Sequence, residues 1–362
     1  MIKENDSILV FEYFTASGEK DKCIISEAEK LIFALLDDLR DYNVDLVINK
    51  SYENIIKEYD NVNPFLIDEN IIDWLENNAA NFKNAIFIAA ENDNNLYNIT
   101  RILEQNNVEI YTSSSEACFK ASDKFETYNS LVNNVPQPRS FKFKIDSQGH
   151  WKRAIENLYK KWGSEDPLKP LKLIIKPLTG VDCEDIVIID DIEDLNRDLE
   201  KIFKPGSQVL VQEFIEGTDI SVSLISDGKK AVAISLNQQF IELKADKGTY
   251  LGGKIPFKSK FRDEAFEIAT AAVEAIEGLK GFVGVDLLIS SDEKDVHSVY
   301  LLEINSRFTT PYVGLKQIAN INIGDSIIKL IDGKMGIDEI DISLDGEVEF
   351  KKSGESLEIR RI

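Results

Sequence analysis

The stretch 301–310, LLEINSRFTT, sets Glu303 and Asn305 two positions apart in an apolar run and follows them with Arg307. Alternate side chains of a strand share a face. Glu303 and Asn305 therefore project together, with Leu302 and Ile304 expected on the other side. The preceding segment, GFVGVDLLISSDEKDVHSVY at 281–300, joins it as two β-rich runs around a polar turn, which is a hairpin pattern. With Ile289 facing Tyr300, Asp286 falls opposite Glu303, and with Leu288 there it falls one residue away. Two carboxylates and an amide then share one patch of sheet, where like charges repel unless a cation neutralises them. All three donors are hard oxygens, a set that suits Mg²⁺, which commonly takes one or two carboxylates together with substrate phosphates. The pattern also describes a solvated strand face on which Arg307 pairs with Glu303, so the rest of the chain must decide.

The chain has 362 residues, enough for two or three domains, and a hydrophobic content of 43% is ample for packed cores. A net charge of −22 argues against nucleic-acid and anionic-membrane partners, since both carry a dense negative field. A phosphate ligand must then be captured by local cations. Three cysteines, Cys23, Cys118 and Cys183, are scattered without metal-ligand spacing, as expected in a reducing cytoplasm. The opening MIKENDSILVFEYF has an apolar run too short for a signal peptide. No stretch approaches the roughly 18 apolar residues of a membrane span. A cytoplasmic location is expected. His150 and His297 both stand in polar, turn-like surroundings, so histidine chemistry is not.

The first third alternates strands and helices. SILVFEYF reads as a buried strand, and the helix after it places Ala28, Leu31, Ile32, Leu35, Leu36 and Leu39 on one face. VDLVIN, NPFLID, NAIFIAA and VEIYT continue the strands, with helices between them. Such alternation implies a parallel α/β sheet, and no G-x-G-x-x-G follows the first strand. Ligands of such sheets bind beyond the carboxyl ends of strands. TASGE (15–19) and AENDN (90–94) are therefore candidate substrate loops, or else ordinary connections. From residue 113 the character changes to short helices, with Ser122 expected as an N-cap, and then to α+β units. KADKGTYLGGKIP (244–256) reads as a Gly-rich loop. The chain divides into 1–112, 113–205, 206–335 and a strand-like tail, 336–362.

Phosphate chemistry needs positive charge. Lys124 opens a helix after ASD, and Lys176 ends the strand LKLIIK before a loop containing Gly180. A lysine at a helix start, a strand-terminal lysine, then VQEFIEG, an Asp on a strand and EINSR resemble, in that order, the ATP-grasp superfamily over roughly residues 120–325. The resemblance implies an ATP-grasp fold: an N-terminal parallel α/β domain and two α+β subdomains clasping ATP. It implies that Lys124 and Lys176 contact phosphates. Gln212, Glu213, Phe214 and Ile215 would hold adenine, and Asp219 the ribose. Asp286, Glu303 and Asn305 would bind Mg²⁺, with Mn²⁺ as a substitute, and Arg307 would stabilise the transferring phosphoryl group together with Lys176.

The chain departs from the pattern in two places. The loop PLTGVDCEDI has one glycine and three acids, so that Asp182 and Glu184 face substrate or solvent. Gly284 stands where some ligases carry an arginine, leaving Lys247 and Lys254 as further cations. ILVFEYFTASGE, AAENDNNLYNIT and the hairpin together resemble the archaeal-type tyramine–L-glutamate ligases of methanofuran biosynthesis. That resemblance implies attack of the tyramine amine on an acyl phosphate of L-glutamate, with Glu12 or Glu91 near the amine. Another ATP-grasp amino-acid ligase, a non-catalytic nucleotide-binding module and a biotin-dependent carboxylase are the alternatives. A homodimer is compatible with the sequence.

Overall fold

The structure, a computed structural model, describes residues 7–163, 171–179, 186–191, 193, 202–244 and 247–362. The expected roles of Gly180, Asp182 and Glu184, and of the Lys247 side chain, lie outside the described residues.

The N-terminal sheet comprises β1 (Ile8–Glu12), β2 (Val44–Asn49), β3 (Val62–Ile67), β4 (Asn84–Ile88) and β5 (Glu109–Ile110), in the order β3-β2-β1-β4-β5. Every pairing is parallel. Five consecutive buried residues in β1 fit a strand covered on both faces. Ile8 and Val10 pack towards α2 (Lys22–Asp38), and Leu9 and Phe11 towards the other face, where α3 (Ile71–Asn78) and α4 (Asn95–Gln105) lie. The stripe Ala28, Leu31, Ile32, Leu35 and Leu36 of α2 is buried, as its spacing predicts. The first strand ends sooner than SILVFEYF suggests. The Glu12 carboxylate caps α1 (Tyr13–Ser17), accepting from Phe14 N at 3.1 Å and Thr15 N at 2.8 Å, and so turns the chain from extended to helical. Strand order reverses between β1 and β4, so TASGE and AENDN both leave the sheet at its switch point.

Helices α5 (Ser115–Ser122) and α6 (Lys124–Leu131) follow. The cap of α6 is Asp123, not Ser122: its Oδ1 accepts from Phe125 N at 2.8 Å and Glu126 N at 3.0 Å. An antiparallel sheet then forms from β6 (Ser140–Lys144), β7 (Leu173–Pro177), β8 (Val187–Ile189) and β9 (Gln208–Glu213), in the order β6-β9-β7-β8. Helix α7 (His150–Trp162) covers one face, and Trp151, Ile155, Leu173, Ile175, Val209 and Val211 make a core of their own.

Seven antiparallel strands complete the molecule: β10 (Gly217–Asp227), β11 (Ala231–Lys244), β12 (Lys247–Ile255), β13 (Lys280–Ser290), β14 (Val299–Asn305), β15 (Val348–Ser353) and β16 (Ser356–Arg361). Their order is β14-β13-β10-β11-β12-β15-β16. Helix α8 (Arg262–Glu274) packs on one face together with Ala117 and Ala121 of α5. Ala117, Ala121 and Leu131 thus tie this segment to the α8 layer, while Lys142 of β6 pairs with Glu126 of α6 and links it to the small sheet as well. The opposite face is divided. At one end Ile225, Ile234 and Phe282 share a core with the N-terminal sheet through α9 (Pro311–Ile318) and α10 (Ile323–Ile331). The other end faces the four-stranded sheet across a cleft.

One further segment differs from its sequence reading. KGTYLGG is strand β12, not a loop: a side chain on Gly252 would put Cβ 2.1 Å from Phe350 O, so glycine there permits close strand pairing. The stretch after 336 carries the hairpin β15–β16, with Val348, Phe350 and Leu357 in the shared core. No helix among the described residues is long and apolar enough to cross a membrane.

Candidate active site

The cleft between the two antiparallel sheets has a volume of about 270 Å³. Lys124, Lys176, Gln212, Glu213, Phe214, Ile215, Asp219, Asp286, Glu303, Asn305 and Arg307 all line it. Residues that strand spacing and the family resemblance singled out separately are therefore brought by the fold onto a single surface.

Pleat alternation does most of this work. On β13, Val283, Val285 and Leu287 enter the core under α8 while Gly284, Asp286 and Leu288 face the cleft; on β10, Ile220 and Val222 are core while Asp219 and Ser221 face out. Strand β14 breaks the rule at the acids. Leu288 pairs with Tyr300 and Leu287 with Leu301, yet Asp286 pairs with Glu303, so Leu302 is the extra residue of a β-bulge. Leu301 and Ile304 are both core residues, and Leu302 joins Glu303 and Asn305 on the cleft face. An unbroken ladder through Tyr300 and Leu288 would have put Leu302 opposite Asp286. Leu302 thus lies on the acids' side, contrary to strict alternation.

The two acids are held differently. Asp286 Oδ1 accepts from Gln239 Nε2 and Oδ2 from Asn305 Nδ2, both at 2.9 Å. Burial, reinforced by the Glu303 charge, pushes the Asp286 carboxyl up to about 7. Burial also acts to raise Glu303, but the Lys124 and Lys176 charges outweigh it and hold that carboxyl below its ordinary value. Lys124 Nζ lies 3.0 Å from Glu303 Oε2. Helix α6 is fixed for this role because Lys124 N–H donates to Leu178 O at 3.0 Å, just beyond β7. Arg307 does not pair with Glu303; its Nε donates to Glu91 Oε2 at 2.7 Å. Asp286, Glu303 and the Asn305 carbonyl offer hard oxygens on one patch of the cleft, and that donor set fits a divalent cation.

On the opposite wall, Ile174 and Lys176 of β7 face the cleft while Leu173 and Ile175 are core. Gln212 is buried and its Nε2 donates to Ser140 Oγ at 2.8 Å. The Glu213 carboxylate is taken by Arg139, whose Nε and Nη2 each donate at 2.8 Å. Glu213 is therefore a clamp between β6 and β9, and its side chain is committed away from a base edge. Burial pushes the Asp219 carboxyl up to about 6. Lys254 pairs with Glu347 at 2.5 Å. Of the two acids expected near the amine, Glu12 is consumed in capping α1 and Glu91 holds Arg307.

Sequence reasoning missed Gln239, Leu302, Glu27, Tyr250 and Thr310, which also line the cleft. Gln239 carried a weak signal, an amide repeated inside the strand run NQQFIEL. Leu302 carried none, because a bulge leaves no compositional trace.

This geometry belongs to a known class. A model of the ATP-grasp domain matches residues 121–311, and the chain belongs to the ATP-grasp family. It is 32% identical over 316 residues to the tyramine–L-glutamate ligase of Methanocaldococcus fervens, covering 85% of this chain and 89% of that protein. It is 30% identical over 359 residues to the protein of the same name from Methanocaldococcus jannaschii, covering 97% and 94%. A crystal structure of an ATP-grasp superfamily protein from Archaeoglobus fulgidus superposes with a TM-score of 0.70 at 23% identity, over 99% of this chain and all of that one; this likeness concerns the fold alone. The chain is an ATP-dependent ligase that forms a C–N bond between a carboxylate and an amine.

Proposed function

We propose that the chain joins L-glutamate, through its side-chain carboxylate, to the amine of tyramine, converting ATP to ADP and phosphate by way of a γ-glutamyl phosphate. The observation that carries the chemistry is the convergence of Asp286, Glu303, Asn305, Lys124, Lys176 and Arg307 on one cleft. The choice of acid and amine is supported by the names of the two Methanocaldococcus relatives.

In this reading the small sheet closes over ATP as a lid against the seven-stranded sheet. Adenine lies along β9, by Gln212, Phe214, Ile215 and the Glu213 backbone, and Asp219 accepts from the ribose hydroxyls. Lys124 and Lys176 neutralise phosphate oxygens. Asp286, Glu303 and Asn305 hold Mg²⁺, which, when bound, offsets phosphate charge during transfer. Phosphoryl transfer calls chiefly for positioning and charge neutralisation, and Arg307 meets the charge that develops as the acid's carboxylate oxygen attacks the γ-phosphorus. The amine then attacks the acyl carbon, forming the amide and expelling phosphate. A supply of ATP and free amino acid points to the cytoplasm as the working compartment.

The test is ADP release by the purified chain with Mg·ATP and L-glutamate, tyramine, or both, with product mass read from the same samples. Release that needs both substrates, with the mass of a glutamyl-tyramine amide, is expected. Turnover with other acid and amine pairs alone would overturn the substrate assignment.

A further inference from the structure

One wall of the cleft is explained by neither the nucleotide nor the metal. Glu27, Thr310 and Tyr250 line it. Glu27 comes from α2, and Thr310 stands three residues beyond Arg307. The Thr310 hydroxyl donates to Glu27 Oε1. Lys352 of β15 stands behind them, its Nζ 3.4 Å from Glu27 Oε2 and 5.4 Å from the centroid of the Tyr250 ring. The hairpin that delivers Lys352 is docked on the start of α2: Leu357 N donates to Ser26 Oγ at 3.0 Å, and Lys22 pairs with Glu355 at 2.7 Å. A fixed anion and a fixed cation are thus held side by side, most of each side chain screened from water.

A free amino acid carries an ammonium and a carboxylate on one carbon, and an adjacent carboxylate and ammonium complement it without adding net charge. In a chain of net charge −22, an acid substrate needs such a local cation. We infer that Glu27 and Lys352, with Thr310, form the head-group subsite for the amino-acid substrate. Glu27 accepts from the α-ammonium, and the Lys352 charge held beside it attracts the α-carboxylate. The side-chain carboxylate is left to extend towards Arg307. The assignment rests on the ligase reading above and gives the C-terminal hairpin a part in substrate recognition.

The test is steady-state kinetics of the full chain with ATP, tyramine and one of three acids: L-glutamate, glutarate (no α-ammonium) or 4-aminobutyrate (no α-carboxylate). Each missing charge-assisted hydrogen bond should cost the wild-type enzyme roughly 10- to 100-fold in kcat/KM. Glu27→Gln should abolish the preference over glutarate and keep that over 4-aminobutyrate. Lys352→Met should do the reverse. Because Lys352→Met can loosen the hairpin, its melting temperature is read alongside, and if that falls the Glu27→Gln result decides alone. Active variants that keep both preferences would overturn the subsite. Wild-type protein silent with every acid would overturn the ligase reading instead.

Discussion

Arg307 Nε donates to Glu91 Oε2 at 2.7 Å, tying the end of the β13–β14 hairpin to the loop that leaves β4 at the switch point of the N-terminal sheet. Glu91 is 6% and Arg307 18% exposed at the side chain, so the pair is fixed in a low-dielectric setting. In the proposed mechanism Glu91 acts through Arg307 as a positioning residue. Glu91→Gln should lower kcat about tenfold or more, with KM for ATP little changed, and Glu91→Asp should recover part of the loss. A Glu91→Gln enzyme with lowered melting temperature and unaltered kcat would reduce the contact to a structural one.

The surrounding lysines hold the Glu303 carboxyl below its ordinary value, so Glu303 is the sensitive member of the proposed metal pair. Glu303→Gln removes that charge at nearly constant volume. ATP turnover should fall on the order of 10²- to 10³-fold, while circular dichroism and the unfolding midpoint stay near wild type. Turnover close to wild type would sink the metal assignment.

Arg307 is expected to interact most strongly when charge builds on the transferring group. Arg307→Ala should therefore reduce kcat far more than it raises KM for ATP. An effect confined to KM would assign Arg307 to ground-state binding.

How far the sequence reached follows from where its signals lie. Glu303 and Asn305 were legible because two-residue spacing puts a strand's side chains on one face, Asp286 because the hairpin pattern sets it across from them, and Lys124 and Lys176 through the order of motifs that resembles the ATP-grasp family. Glu27 and Lys352 were not, since they meet from α2 and β15, and nothing local to either element names the other. The glycines of β12 resembled a loop because a missing side chain signals a turn and a close strand approach alike; only the Phe350 carbonyl against Gly252 distinguishes them. The C-terminal hairpin looked like a tail for a similar reason. Its short alternation of Val348, Phe350 and Leu357 makes sense only beside a core built from residues far earlier in the chain.

The Glu12 carboxyl is 2% exposed, and its burial pushes it from 4.5 up to about 7 despite the hydrogen bonds from Phe14 and Thr15. The folded chain thus holds this proton more tightly than the unfolded one. Stability is then highest below pH 4.5 as far as this group is concerned, and is lost as pH rises from about 4.5 to about 7, by roughly 3 kcal/mol. Urea unfolding across that window should show a pH slope that Glu12→Gln flattens. Equal slopes for the two proteins would mean that Glu12 is ionised throughout.

Phe350 is 1% exposed and lies so close to α9 that a Cβ on Gly314 would fall 2.4 Å from its ring. Its neighbours Val348 and Leu357 belong to the same core as Leu35 of α2 and Ile48 of the N-terminal sheet. The hairpin therefore completes a core shared by two sheets. Phe350→Ala should cost about 3–5 kcal/mol, read as a shift in the urea midpoint. A chain ending before Val348 should lose its cooperative transition, because it leaves this apolar surface uncovered and removes the element that carries Lys352 to Glu27. A shortened chain that unfolds at the wild-type midpoint would show the hairpin to be an appendage, and its preference for L-glutamate over glutarate would then tell whether Glu27 can recognise the ammonium without Lys352 beside it.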